Sequence, residues 1–267
     1  MPDKLRAPVV GNTSDDSKAG RSPAGPSRAE VWRMFDRIAG RYDLLNRLLS
    51  LRRDVAWRKR LAKSLPDRPQ LDVLDIATGT ADVLLCLLST SDRIQSAVGL
   101  DMSPQMLRLG LQKITAAGLQ DRVLLVRGDA LQLPLDDSSF DAVTIAFGIR
   151  NLPDMVEALR EMYRVLKPAG RLLVLEFSMP DNSLVSRLYP FHLRGVIPRL
   201  GAMISGDSYA YQYLNETVQS FPYGDEFCAL VRECGFINVR AHSLTFGIAT
   251  IYESEKAALS DAGRTQQ

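Results

Sequence analysis

Residues 74–83 read LDIATGTADV, an apolar stretch that runs into a glycine-containing loop and then into a second apolar stretch. A loop in that place belongs to a nucleotide-binding turn, where a strand hands the chain to a helix whose N-terminus faces a ligand. A dinucleotide fold closes such a turn with G-x-G-x-x-G, so that the backbone can approach a pyrophosphate. Here Gly79 is the loop's one glycine, and Ala81 follows two residues later. The turn therefore points to a nucleoside-like ligand without phosphate, and the missing glycines argue against a dehydrogenase.

Working outward, strand and helix patterns alternate. LDVLDIA (71–77) reads as a buried strand and ADVLLCLLS (81–89) as a helix, followed by the strand SAVGLD (96–101). SPQMLRLGLQKITAAG (103–118) is a helix with Ser103 at its N-cap and Pro104 in its first turn. RVLLVRGDA (122–130), FDAVTIAFG (140–148), MVEALREMYRVLKPAG (155–170) and RLLVLEFS (171–178) continue the alternation, with Gly170 read as a helix C-cap. Strands that are continuous apolar runs, separated by helices, predict a doubly wound, mostly parallel sheet covered on both faces. After the helix DEFCALVRECGF (225–236), INVRAHSL and TFGIATIYE follow so closely that they predict a hairpin.

Before the first strand, residues 28–65 keep apolar side chains at helical spacing with charges between them, which predicts two or three amphipathic helices. The resulting organisation is a disordered tail over 1–28, a single domain over 29–254 and a flexible tail over 255–267. Within the domain, 29–65 supplies substrate-side helices and 179–222 a lid or substrate insertion. A net charge of +2, without aromatics interleaved along a basic run, argues against nucleic acid as a partner. The cysteines Cys86, Cys228 and Cys234 lack paired spacing, so we expect neither a disulfide framework nor a metal site, and the cytoplasm as the compartment.

In a doubly wound sheet the ligand sits beyond the carboxyl ends of the strands, and an acid ending the second strand takes the ribose hydroxyls. Asp101 has that place and the expected spacing from Gly79, and Ser103 is better placed than Asp101 to cap the next helix. After the third strand, Asp129 and Ala130 would meet an adenine edge: a carboxylate accepts from the exocyclic amine, and a small residue lets the ring lie flat. Arg150 follows an apolar strand whose end faces the same crevice, although a surface cation would look alike. His192 and His242 lack metal-ligand company and read as structural or surface residues.

LDIATGTAD, GLDMSPQML, GDALQLPLDDSSFDAV and LREMYRVLKPAGRLLVLEF, in that order, resemble the class I S-adenosylmethionine (SAM)-dependent methyltransferases over about residues 70–252. The resemblance implies a Rossmann-like, seven-stranded sheet with an antiparallel last strand, and SAM as cofactor. SAM carries a carboxylate, an amine and a sulfonium but no phosphate, which answers the single glycine. FDRIAGRYDLLNRLLSLRRDVAWRKR (35–60), FGIRNLPD (147–154), LEFSMP (175–180) and IPRLGAMISGDSYAYQYLNETVQSFP (197–222) resemble, more specifically, the ubiquinone/menaquinone biosynthesis C-methyltransferases. Asp54, Ala81 and Ala146 depart from that family's usual residues.

That resemblance implies C-methylation of a reduced demethylated quinone: demethylmenaquinol to menaquinol, or the equivalent ring in ubiquinone biosynthesis. It adds Thr80, Met102 and Ala146 to Gly79, Asp101, Asp129 and Ala130 as cofactor contacts. Arg150 is assigned to the developing phenolate, Asn151 to orienting the ring oxygen, and Tyr42 to closing the pocket, with a half-buried helix residue as the plain alternative for Tyr42. A SAM-fold subunit without catalysis is the rival of another class. The substrate's lipid tail leads us to expect weak contact with the inner face of an anionic membrane through 183–204, where Arg187, Arg194 and Arg199 punctuate an apolar stretch. A lid over the pocket is the alternative for that segment, and self-association is left open.

Overall fold

The apolar runs at the middle of the sheet become strands because both of their faces are buried, as in Leu71–Ile76, Phe140–Ala146 and the second half of Leu166–Phe177, while the outer strands are only partly covered. The computed structural model describes residues 28–50, 52–178, 213 and 217–258. The strands are β1 (Leu71–Ile76), β2 (Ile94–Asp101), β3 (Val123–Arg127), β4 (Phe140–Ala146), β5 (Leu166–Phe177), β6 (Ile237–Leu244) and β7 (Ala249–Glu255). They form one seven-stranded sheet in the order β3-β2-β1-β4-β5-β7-β6. β1 to β5 pair in parallel, and β7 is antiparallel to both β5 and β6, which closes the expected hairpin.

Helices α1 (Arg28–Leu49) and α2 (Asp54–Lys63) precede the sheet. α3 (Asp82–Thr90), α4 (Pro104–Ala116), α5 (Met155–Val165) and α6 (Asp225–Glu233) follow in chain order. Alternation along each strand sorts side chains to two cores. Val73, Leu173 and Leu175 face α1, α2 and α3 through Met34, Trp57, Leu61 and Leu84. Leu74, Leu172 and Val174 face α5 and α6 through Leu159, Met162 and Phe227. α4 starts as its sequence dictates, with the Ser103 hydroxyl accepting from the Met106 amide at 3.2 Å and Pro104 at the first helical position.

Gly170 does not cap a helix. α5 ends at Val165, because Pro168 can donate no helical hydrogen bond and restricts Lys167 before it, and β5 already begins at Leu166. Gly170 instead lies in a close approach of backbones: a Cβ there would stand 2.7 Å from the Lys167 carbonyl oxygen and 3.2 Å from that of Asp141. Residues 1–27 of the expected tail, and all of the expected 179–222 insertion except 213 and 217–222, including the 183–204 segment, lie outside the described residues.

A left-handed helix cap tolerates asparagine almost as well as glycine, whereas a close approach tolerates neither asparagine nor alanine. Gly170→Ala and Gly170→Asn should therefore both lower unfolding free energy in urea, by about 1–3 kcal/mol. An asparagine variant as stable as the parent would restore the helix-cap reading.

Candidate active site

β1 lies between β2 and β4, so the chain leaves β1 and β4 toward opposite sides and opens a crevice between their carboxyl ends. The loop after β1 is wound tightly: Ala77, Gly79 and Ala81 have φ of 51°, 55° and 64°. Non-glycine residues adopt this left-handed region at a cost, and such strain concentrates at binding turns. The Asp101 carboxylate fixes the loop, accepting from the Gly79 amide (2.8 Å) with one oxygen and from the Ser103 amide (2.8 Å) with the other.

α1 forms the roof. Its Asp36 accepts from the Ser103 hydroxyl (2.6 Å) and the Gln105 amide (3.0 Å), so a carboxylate of α1 serves the N-terminus of α4. Its Asp43 accepts from the Thr80 hydroxyl (2.7 Å) and from Lys113 Nζ (2.6 Å). Between roof and strand ends lies a cavity of about 770 Å³ including its mouth. Tyr42, Gly79, Asp101, Met102, Asp129, Ala130 and Asn151 all line it. Its lining among the described residues includes two carboxylates but no lysine, arginine or histidine. That is an environment for a neutral or cationic ligand, and a poor one for a phosphate.

Three expected contacts lie elsewhere. The Thr80 hydroxyl is turned to Asp43 and Lys113, and Ala146 is a β4 residue paired with Leu175. Arg150 is buried behind the wall: its Nη1 bonds Glu176 and the Phe147 carbonyl (3.0 Å), and its guanidinium lies 5.4 Å over the Phe177 ring. The turn that carries it is itself strained, with φ of 57° at Phe147. Asn151 Nδ2 donates to the same Phe147 carbonyl at 3.2 Å. That leaves Asn151 Oδ1 buried at the cavity wall without a partner.

The family model described as the ubiE/COQ5 methyltransferase family matches residues 24–256. A ubiquinone/menaquinone biosynthesis C-methyltransferase of Geotalea daltonii is 44% identical over 85% of this chain and 96% of its own. A demethylmenaquinone methyltransferase of Thermus thermophilus is 45% identical over 84% of this chain and all of its own length. The chain belongs to the ubiE/COQ5 methyltransferase family. Among solved structures, a SAM-dependent methyltransferase from Thermotoga maritima superposes with a TM-score of 0.60 at 20% identity, over 85% of this chain and 99% of the other. The [4+2]-cyclase SpnF reaches the same TM-score of 0.60 at 17% identity, over 89% of this chain and all of its own. These structural likenesses show the fold alone, since a cyclase shares it.

This family member is a SAM-dependent methyltransferase. Its cavity fits that cofactor: an anchored carboxylate ends β2, an apolar slot runs between Leu100, Met102 and Met106, and Ala130 keeps the floor low. The close approach of Gly148 to Ala77, whose methyl would lie 2.7 Å from a Cβ on Gly148, keeps the crevice narrow behind it. Several site residues had no motif to mark them. Val31, Trp32 and Phe35 of the roof share the helical spacing of core residues. Asp75 and Glu176 did leave a signal: Glu176 is the one acid in the apolar run RLLVLEFS, and Asp75 is the acid inside LDVLDIA that is not at its edge, Asp72 being the other.

Burial pushes the Asp75 carboxyl up to about 6, against hydrogen bonds from Thr144 Oγ1 (2.6 Å) and Thr78 Oγ1 (2.7 Å). A folded-state value above the ordinary 3.8 means that the native state binds the proton more tightly than the unfolded chain. The stability from Asp75 is therefore complete in acid below the unfolded value and is lost as pH rises through the folded one. Asp75→Asn removes this titration. Its stability relative to the parent should rise by roughly 3 kcal/mol between about pH 4 and pH 7 in urea unfolding, and a difference flat with pH would refute the shift.

Proposed function

We propose that this methyltransferase moves the methyl group of SAM to a ring carbon of a reduced, lipid-tailed demethylated quinone, with demethylmenaquinol to menaquinol as its reaction. Relatives named as demethylmenaquinone methyltransferases, from Thermus thermophilus and Deinococcus radiodurans among others, favour the naphthoquinol. Ring methylation in ubiquinone biosynthesis is the second reading, because the Geotalea daltonii relative is named for both pathways. The cytoplasm, with its reduced quinol at the membrane's inner face, is the compartment we assign.

The observation that carries the reading is the unpartnered Asn151 Oδ1. A buried acceptor without a donor costs about 1–3 kcal/mol, and a ring hydroxyl supplies the donor. A quinone carbonyl cannot donate, so this wall prefers the reduced ring to the oxidised one. Loss of the hydroxyl proton to water pushes charge onto the ortho carbon, which makes that carbon the nucleophile. Once the methyl group is in place, the ring proton that carbon carried leaves to water and the oxygen takes a proton back, restoring the quinol. When bound, SAM supplies an electrophilic methyl group on a sulfonium.

The chain's residues then have separable parts. Asp101 holds the ribose diol, with Gly79 and Met102 beside it, and Asp129 and Ala130 receive the adenine edge. Burial pushes the Tyr42 phenol above its ordinary value, so it stays protonated at the pocket wall, with the Asn46 side chain as a neighbour. Arg150 acts one step back from the ring: together with Asn151 Nδ2 it holds the Phe147 carbonyl and so fixes the turn that aims Oδ1. Glu176, fully buried, balances its charge.

Purified protein incubated with labelled SAM should methylate demethylmenaquinol and leave the oxidised quinone unlabelled. Asn151→Ala should lower kcat by ~10–100-fold through lost positioning, with SAM affinity nearly unchanged. Asp101→Ala should do the reverse, weakening SAM binding in calorimetry by ~10–100-fold through loss of a charged hydrogen-bond acceptor. Equal effects of Asn151→Ala on turnover and on SAM binding would remove Asn151 from the quinol.

Truncating one half of the buried ion pair leaves the other charge uncompensated. Glu176→Gln should therefore destabilise the fold by about 3–5 kcal/mol in urea unfolding, and a loss below about 1 kcal/mol would show that Arg150 does not depend on it.

A further inference from the structure

The outward side of α2 carries one sign of charge. Trp57, Leu61 and Ala62 turn inward together with Asp54 and Arg58, which pair with each other at 2.8 Å. Arg52 and Arg53 just before the helix, and Lys59, Arg60 and Lys63 on it, are left exposed, the first pair two turns before Lys59 and Arg60, and Lys63 one turn after them. None of these five cations forms an ion pair with a described residue. The helix's one acid, Asp54, is 1% exposed and already engaged by Arg58 and by the Ser50 hydroxyl. No exposed anion on the helix offsets the strip.

Apolar groups flank it. Val55 is 44% exposed, and Phe246, in the turn between β6 and β7, is 74% exposed. That turn is fastened to α2 by Trp57 Nε1, which donates to Thr245 Oγ1 at 2.8 Å. Thr245 and Phe246 have φ of 47° and 59°, a conformation that residues with a Cβ rarely adopt. The fold thus holds a phenyl ring in water at the end of a strained turn, beside a strip of cations.

We propose that the outward side of α2 and Phe246 together form the surface on which this protein rests against an anionic lipid bilayer. Cations meet the headgroups, and the ring and Val55 enter the boundary with the acyl chains. A nucleic acid would call instead for aromatics interleaved along a basic groove and for a larger charge than the chain's +2. Among the described residues no helix is long and apolar enough to cross a membrane, so the contact is peripheral.

The place suits delivery of a lipid-tailed ring. The Trp57 ring lies 6.2 Å from that of Phe147, which lines the cavity, and Ser178 at the end of β5 donates to the Gly247 carbonyl of the same turn at 2.7 Å. In purpose the inference rests on the quinol reading. The binding itself needs no substrate, so the two can fail separately.

Flotation of the full chain with vesicles of phosphatidylcholine, with and without phosphatidylglycerol, tests it. We expect binding to the anionic vesicles alone, falling as salt rises. Neutralising the five cations (R52Q/R53Q/K59Q/R60Q/K63Q) should weaken it at least ~10-fold. Phe246→Asn, which suits a left-handed turn, should weaken it by ~3-fold or more. The variants should keep the parent's melting curve and its turnover of a short-tailed, water-soluble quinol. If the fivefold variant does not fold, Lys59→Glu/Arg60→Glu supplies the same comparison. Undiminished binding by the charge variants, no binding of the parent to anionic vesicles at low salt, or stronger retention on single-stranded DNA than on vesicles would overturn the proposal. Vesicle binding without quinol turnover would overturn the substrate reading and leave this one standing.

Discussion

The Asp101 carboxylate is the joint on which the site depends. It ends β2, yet its two oxygens serve the amides of Gly79, after β1, and of Ser103, at the start of α4. Ser103 passes the connection on, since its hydroxyl donates to Asp36 of α1. One hydrogen-bonded chain thus runs from the binding loop through the strand end to the roof. Burial raises the carboxyl's pKa while the backbone amides of Ser103, Gly79 and Met102 oppose that rise, so the charge available to a ribose is the one the backbone has already oriented. Each oxygen spends one lone pair on an amide and has another left for a hydroxyl. The group that shapes the apo loop can therefore bind the ligand without being rebuilt.

That joint holds a loop which local preferences would open. Alanine at φ of 51° and 64°, in Ala77 and Ala81, gives up the freedom a glycine would have there. Packing supplies the counterweight. Ala81 is fully buried, and a Cβ on Gly110 would come 3.3 Å from its methyl, so α4 already lies against the loop. The Phe147 turn is held in a similar way from the other side of the crevice, by the Leu175 carbonyl at its amide and by Arg150 and Asn151 at its carbonyl. Strain on both lips of the crevice is thus restrained by groups that lie outside the ligand's space. Such restraint is what keeps a polar atom like Asn151 Oδ1 without a partner rather than relaxing toward a neighbour.

The fold could be read from the chain because a sheet buried on both faces writes itself as uninterrupted apolar runs, and because a hairpin leaves almost no residues between its strands. Gly170 misled because a glycine after an amphipathic stretch looks the same as a helix cap or as a backbone contact. Pro168, two residues earlier, was the discriminating signal. In the site, the strand ends put Asp101 and Asp129 at the cavity lining, since topology alone decides which ends converge, and Asn151, which only the resemblance singles out, lines it too. It does not decide where a side chain turns. Thr80 sits in the binding loop but spends its hydroxyl on Asp43 and Lys113, and Arg150 stands beside Asn151 yet points into the protein. Those directions follow from partners more than 20 positions away, such as Glu176, which spacing around the motif cannot reveal.

Charge in this protein is sorted by place, and the small net value of +2 hides the sorting. Asp101 and Asp129 face the cavity and no described lysine or arginine joins them, so the pocket suits a cofactor that carries a sulfonium. Arg150 and Arg58, the buried cations closest to this region of the chain, are each tied to an acid, Glu176 and Asp54. Neutralised in this way, they can order turns without repelling a positive centre. Five cations without an ion pair to a described residue stand on and just before the outer side of α2, a helix whose inner side packs through Trp57 against the Phe147 wall. A catalyst for a charged donor and an apolar acceptor needs both arrangements at once: positive charge excluded from where the methyl is transferred, and available where the acceptor's lipid surroundings begin.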